Sequence, residues 1–241
     1  DYDMTLSGDW GSLKFNGSGS SSALGAVDDV MPNAYEESWD ILDTDGTNTT
    51  GSPLTIGGGG GANMFIYTSP NVAGATVTVA YQNDGGAAAV EDSYTDFAIA
   101  YSPEMIEGLT VGYARASQNA GVNIDVEKST GYIKYATGGF TVGYQISEAD
   151  HDTKSSSADV VAYGVSYAVN DDFSIGYHSH TYEPDSAASS SASEDQESTG
   201  VSASYTMGGM TIGGAMNETD NSRGIASNDF ESYEFNLSFA F

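Results

Sequence analysis

The sequence predicts an all-β fold, a transmembrane up-and-down antiparallel β-barrel. Three observations predict it. Apolar and small polar residues alternate with a period of two over nearly all of the chain after residue 62. The alternating segments run to about 9 to 11 residues, where strands of globular proteins average about 5 to 6. Short, turn-rich connections alternate with long acidic ones, the layout of strands joined by turns at one rim and loops at the other.

Taken in order, strands are expected at about 2–7, 10–16, 62–69, 75–82, 93–101, 108–117, 128–136, 139–147, 158–168, 172–182, 197–206, 210–219 and 230–241. In the fourth, Val77, Val79 and Tyr81 alternate with Thr76, Thr78 and Ala80. In the sixth, Leu109, Val111 and Tyr113 face away from Thr110, Gly112 and Ala114. The eighth sets Phe140, Val142, Tyr144 and Ile146 against Thr141, Gly143 and Gln145. The ninth sets Val161, Tyr163, Val165 and Tyr167 against Ala162, Gly164 and Ser166. The tenth has Phe173, Ile175 and Tyr177 opposite Ser174, Gly176 and His178, and the last has Tyr233, Phe235, Leu237, Phe239 and Phe241 opposite Ser232, Glu234, Asn236 and Ser238. The polar partners are mostly Gly, Ala, Ser and Thr, which separates this pattern from the Lys- and Glu-rich solvent face of a soluble sandwich.

Tight connections fall at Pro70–Gly74, Thr137–Gly139, Val169–Asp172 and Met207–Gly209; long polar ones fall at about 83–92, 118–127, 148–157, 183–196 and 220–229. Thirteen strands is an odd count for a closed antiparallel bacterial barrel, which normally has an even one. The expectation is therefore a single domain over 1–241 from which about three N-terminal strands are missing; a miscount within residues 1–16 is the alternative.

Composition bounds the function. The 241 residues hold 34 Asp+Glu against 6 Lys+Arg, a net charge of −28, and no cysteine. That excludes disulfides and Cys-ligated metal, and with so few cations no phosphate-reading surface forms, so nucleic acid is not a partner. No apolar run approaches the roughly 18 to 20 residues of a membrane-spanning helix, but a transmembrane strand needs only about 9 to 11. No signal peptide is visible; the sequence opens on Asp1-Tyr2-Asp3, so the expectation is that any export signal has been removed or was never part of this numbering.

The terminal stretch Tyr233-Glu234-Phe235-Asn236-Leu237-Ser238-Phe239-Ala240-Phe241, the hairpin Leu6-Ser7-Gly8-Asp9-Trp10-Gly11-Ser12-Leu13-Lys14-Phe15, and the long acidic insertion at about 17–61 with eleven strands after it resemble the general diffusion porins of Gram-negative bacteria, nearest to the trimeric sixteen-stranded type of alphaproteobacteria. The resemblance spans the whole chain. It implies a homotrimer in the bacterial outer membrane, in contact with lipid and lipopolysaccharide, that forms a water-filled channel for small hydrophilic solutes. It also implies that Tyr233, Phe239 and the terminal Phe241 belong to the signature read by the barrel-insertion machinery.

Residues 17–61 contain no Lys or Arg, and a connection this long inside a compact domain is usually functional. In the family this loop folds inward and narrows the barrel. Carried over, Asp28, Asp29, Glu36, Glu37, Asp40 and Asp43 line one side of an eyelet, while Met31, Tyr35, Trp39 and Leu42 pin the loop to the wall. Carboxylates in a low-dielectric constriction attract cations, so weak cation selectivity is expected. Lys14 and Lys134 have the parity of inward-facing wall charges, with ordinary lumen or rim charges as the plainer alternative; Arg115 has the parity of Tyr113 and reads as a rim residue. Gly57–Gly61 has no following Lys-Ser/Thr, so it is no phosphate loop and reads as a flexible return to the wall.

Other chemistry is sparse. His178 and His180 share the polar face of one strand, but no third metal ligand is identifiable. No cofactor is required; the acidic loops, such as Asp150-His151-Asp152 and Asp171-Asp172, offer oxygen ligands for Ca²⁺ without matching a known calcium loop. No Gly-x-Ser-x-Gly elbow is present and no catalytic residue is assigned. The competing class is a secreted acidic β-rich surface or adhesin protein, which would not require Tyr, Phe and Val on a single face across so many long strands.

Overall fold

The computed structural model describes residues 2–17, 21–39, 56–59, 63–83, 93–119, 125–152, 157–185 and 194–240. Among them lie thirteen strands: β1 Asp3–Gly8, β2 Gly11–Asn16, β3 Met64–Thr68, β4 Ala75–Gln82, β5 Tyr94–Tyr101, β6 Leu109–Asn119, β7 Asp125–Thr137, β8 Phe140–His151, β9 Ala158–Ala168, β10 Phe173–Pro184, β11 Gln196–Met207, β12 Met210–Asp220 and β13 Phe230–Phe239. They form one antiparallel sheet in chain order, each strand beside its sequence neighbours. The number and order are those the sequence predicts. One short 3-10 turn, Ser222–Gly224, is the helical structure among the described residues, and none of their helices is long and apolar enough to cross a membrane.

The strands run further at the loop end than alternation alone indicates. β7 begins at Asp125 rather than 128, and β8 continues to His151 rather than 147. The Asp152 N–H donates to the Asp125 carbonyl, and the Asp125 N–H donates to the Asp152 carboxylate at 3.0 Å. Polar residues thus continue the ladder where apolar alternation has stopped, because the ladder needs backbone groups and not greasy side chains.

Chain contacts divide the molecule into two compact units. The first comprises Asp1–Val30, Ile56–Ile133 and Ser147–Ala158; the second comprises Met31–Thr55, Lys134–Ile146 and Asp159–Phe241. In the first, register runs Phe15↔Phe65↔Tyr81↔Thr95 across β2 to β5. One face of β4 to β6 shows Val77, Val79, Tyr81, Phe97, Ile99, Tyr101 and Tyr113, all exposed. The other face buries Met64, Ala80, Ala98, Ala114 and Ala116 beneath Ala23 and Leu24 of the 21–39 segment.

The second unit repeats the division. Tyr163, Val165, Ile175, Tyr177, Val201, Tyr205, Met216, Tyr233, Phe235 and Leu237 are exposed on one face, while Ala162, His178, His180, Ser198, Ser202, Asn217 and Thr219 are buried on the other. On β9 the aliphatic Val165 lies between two rings. Tyr167 stacks on Phe140 at 4.2 Å near the turn, and Tyr163 lies 6.3 Å from Tyr177 towards the loop end. Rings at both ends with aliphatics between is the order that a bilayer interface, hydrocarbon and second interface impose.

This two-faced sheet inverts a soluble protein: its large apolar side chains are exposed and its small polar ones are covered. A contiguous apolar surface of this extent is not sustained in water. Replacing Val165 with Arg is expected to destabilise the folded chain by about 2–4 kcal/mol if that position lies at the bilayer midplane. Ala162→Ser, three residues earlier on the covered face, is expected to cost far less. Urea titration of folding into phospholipid vesicles measures both.

Candidate functional site

The segment 21–39 and its return at 56–59 lie on the small-residue face. In the first unit both arms are fastened by two side chains of β5. Tyr94 donates its hydroxyl proton to Asp96 Oδ2 at 2.9 Å and accepts the Gly59 N–H at 2.9 Å. With that proton committed, the Ser22 hydroxyl donates to the Tyr94 oxygen at 3.0 Å. Asp96 Oδ2 also accepts the Leu24 N–H at 2.7 Å. The departing arm at 22–24 and the returning arm at 59 are therefore held by one Tyr-Asp pair, and Asp96 is only 2% exposed. Ser22 N–H also donates to the Gly59 carbonyl, joining the two arms directly.

Asp28 occupies the next position along the same segment. Its Oδ2 accepts the Gly58 N–H at 2.8 Å, and Lys128 Nζ donates to the Gly57 carbonyl at 2.8 Å. Burial holds the Asp28 carboxyl above its ordinary pKa, opposed only in part by the Gly58 N–H, its own backbone N–H and the nearby Lys128 ammonium.

The glycine run has a different role from the flexible return that the sequence predicts. A Cβ on Gly58 would lie 2.5 Å from Gly25 Cα, and one on Gly59 would lie 2.5 Å from the Tyr94 ring. Side chains are excluded at Gly58 and Gly59 because the returning arm packs against the departing arm and against β5. Gly60 and Gly61 lie outside the described residues.

In the second unit the segment crosses a track of strand glycines. Cβ atoms on Gly143 of β8 and Gly176 of β10 would lie 2.6 Å from Pro32 Cδ and 2.7 Å from the Ala34 N. Gly164 of β9 meets Pro32, and Gly213 of β12 meets the Tyr35 ring. Tyr35 then donates its hydroxyl to Glu234 of β13 at 2.6 Å, and the Ala34 N–H donates to Ser202 at 3.1 Å. Met31 is buried, and Trp39 packs its ring 4.6 Å from both His178 and His180.

The residues singled out from sequence fall as follows. On the segment Asp28, Glu36 and Glu37 are half-buried and Asp29 is exposed, with Glu37 accepting from the Asn33 amide at 2.7 Å. Asp40, Asp43 and Leu42 lie outside the described residues, as does Phe241. Lys14 shares the loop-facing side of β2 with buried Asn16 and pairs with Asp3 of β1 at 3.4 Å. At that exposure the pair contributes little. Lys134 alternates with exposed Ile133 and Tyr135, so its parity is that of the covered face. Arg115 is exposed and paired with Glu127. Phe239 and Tyr233 are exposed on the apolar face of β13.

Sequence reading missed Lys128 as a wall charge. It has the parity of Lys134 on the same strand, so the signal is in the sequence, but it stands at the first position of the strand expected from 128, where alternation begins. The Tyr94–Asp96 clamp was also missed, since a carboxylate on an inward face gives no hint of its partner 72 residues away. Among the described residues no group of three or more His, Asp or Glu side chains is placed to hold a metal ion.

Asp96→Ala would leave the buried Leu24 N–H and Tyr94 hydroxyl without an acceptor, at a cost of about 1–3 kcal/mol. Gly58→Ala is expected to cost a similar amount, about 1–3 kcal/mol, through overpacking between the two arms. Both are read by urea unfolding.

The family model described as Gram-negative porin matches residues 2–194. An anion-selective porin from Comamonas acidovorans superposes with a TM-score of 0.70 at 14% identity, over 99% of this chain and 77% of that one. A porin refined at 1.8 Å resolution gives 0.70 at 17% identity, over 99% and 80%. OmpT in its trimer form, an outer membrane protein of Vibrio cholerae, gives 0.63 at 11% identity, over 99% and 75%. No curated protein matches the chain. At these identities the structural likeness speaks for the fold, and the family match extends over most of the sequence: the chain belongs to the Gram-negative porin family, whose members are diffusion channels of the outer membrane.

Proposed function

We propose that the chain forms a weakly cation-selective pore for small hydrophilic solutes and ions, a single porin barrel domain with its constriction at the 17–61 segment. One observation supports this above the others. Residues 21–39 and 56–59 of this segment, which holds no Lys or Arg, lie on the small-residue face of the strands and present Asp28, Asp29, Glu36 and Glu37. Asp40 and Asp43 extend the same set in sequence.

The mechanism is electrostatic. Carboxylates held where low-dielectric walls limit screening raise the local concentration of cations and lower that of anions. Lys128, Lys14 and Lys134 supply the opposing positive charge and keep the preference weak. Lys128 acts closest, because it sits beside Asp28. Passage needs no cofactor and no catalytic group, and the chain is read as a non-enzymatic channel. The anion-selective relative shares the fold at 14% identity; selectivity resides in side-chain charge, which the fold leaves open.

We further read the protein as a homotrimer embedded in outer-membrane lipid and lipopolysaccharide. The trimer form of OmpT on the same fold supports that assembly. Calcium at the acidic loops remains part of the reading as an accessory ion, not a requirement. The secreted-adhesin alternative does not account for the exposed rows of rings and aliphatics.

The test is the reversal potential of single channels in a potassium chloride gradient. Cation selectivity is expected at about 0.1 M salt, where the Debye length is about 10 Å, with much of it lost at 1 M, where it is about 3 Å. The combined change Asp28→Asn, Asp29→Asn, Glu36→Gln and Glu37→Gln should move the reversal potential towards or past zero. Anion selectivity in the unaltered protein, or a reversal potential indifferent to these changes, contradicts the proposal.

A further inference from the structure

We propose that His178 and His180 of β10 form a binding site for a first-row transition-metal dication, with Trp39 as its cover. The two imidazoles stand two residues apart on one face of a strand and are 1% and 3% exposed. The tautomer of His178 follows from its neighbours. The Ser38 hydroxyl donates to the Ser198 carbonyl at 3.1 Å, so Ser38 Oγ, 2.8 Å from His178 Nδ1, accepts the ring proton. His178 Nε2 therefore keeps its lone pair, and it is buried with no hydrogen-bond partner.

His180 Nδ1 is likewise buried and unpartnered. Buried imidazole nitrogens without partners are costly to maintain. Two imidazoles at i and i+2 on one strand face, both against Trp39 and one fixed as an acceptor, offer nitrogen donors of the kind that Zn²⁺, Ni²⁺ and Cu²⁺ prefer over hard cations.

Water completes the coordination, and Trp39, packed on both rings, must move when the ion enters. Because Trp39 lies on the constriction segment, metal occupancy is coupled to the position of that segment. The donor set itself does not depend on the ion selectivity proposed above.

The test uses the folded chain in detergent with Trp10→Phe and His151→Gln, leaving Trp39 the single tryptophan and His178 and His180 the only histidines. Saturable quenching of Trp39 emission by Cu²⁺ and more weakly by Ni²⁺, reversed by chelator and absent with Mg²⁺, is expected. His180→Gln should raise the midpoint about tenfold or more. Copper paramagnetic resonance on the unaltered histidine pair provides a readout independent of any variant's folding, with nitrogen superhyperfine splitting expected. Unsaturable quenching, a midpoint unchanged by His180→Gln, or a copper spectrum with oxygen ligands alone overturns the site.

Discussion

In hydrocarbon every backbone N–H and C=O must find a partner within the protein, because no water is present to serve. The rest of this structure depends on that constraint. It forces the chain into one continuous antiparallel ladder, β1 to β13 in order. Once the ladder is fixed, each strand has two faces and side chains alternate between them. One face must satisfy lipid, and here it carries rings and aliphatics. The other is free for water, for charge, or for a segment of the same chain.

The 21–39 segment uses that second face. Its position is set less by apolar burial than by exclusion and by hydrogen bonds. Glycines on β8, β9, β10 and β12 let the backbone approach closely, and the Tyr94–Asp96 pair receives both arms of the loop. The clusters at Leu24 and at Trp39 fix the segment in each unit separately. A charged segment can be held rigidly in a wet environment only if its fastenings are themselves dry, and Asp96, His178 and His180 are among the most deeply buried polar groups described.

The fold was almost wholly legible in the sequence, and for a physical reason. Period-two alternation over long strands is a local signal, repeated in nearly every strand from β4 onward, so each strand confirms its neighbours. Where the signal is not local, legibility ends. The ends of β7 and β8 rest on Asp125 and Asp152, which have no apolar pattern. The clamp joins residues 72 positions apart. Gly58 and Gly59 look like a flexible run in sequence, yet close packing requires them. Trp39 stands out, as an apolar residue with no reason to lie in a solvated loop, and so do His178 and His180 on one strand face; that they pack together does not.

The central claim is that the exposed rows of this sheet face lipid while the alternating small residues face an aqueous space. The chain has no cysteine, so a single introduced cysteine is labelled without background. Spin labels at 161, 162, 163, 165, 166 and 167 on β9, sparing Gly164 where Pro32 packs, report access to oxygen and to a water-soluble nickel complex in protein reconstituted in bilayers. The account requires oxygen access to peak at 161, 163, 165 and 167, with nickel access or full protection at 162 and 166. Accessibility without a period of two, or with the two phases exchanged, would contradict it.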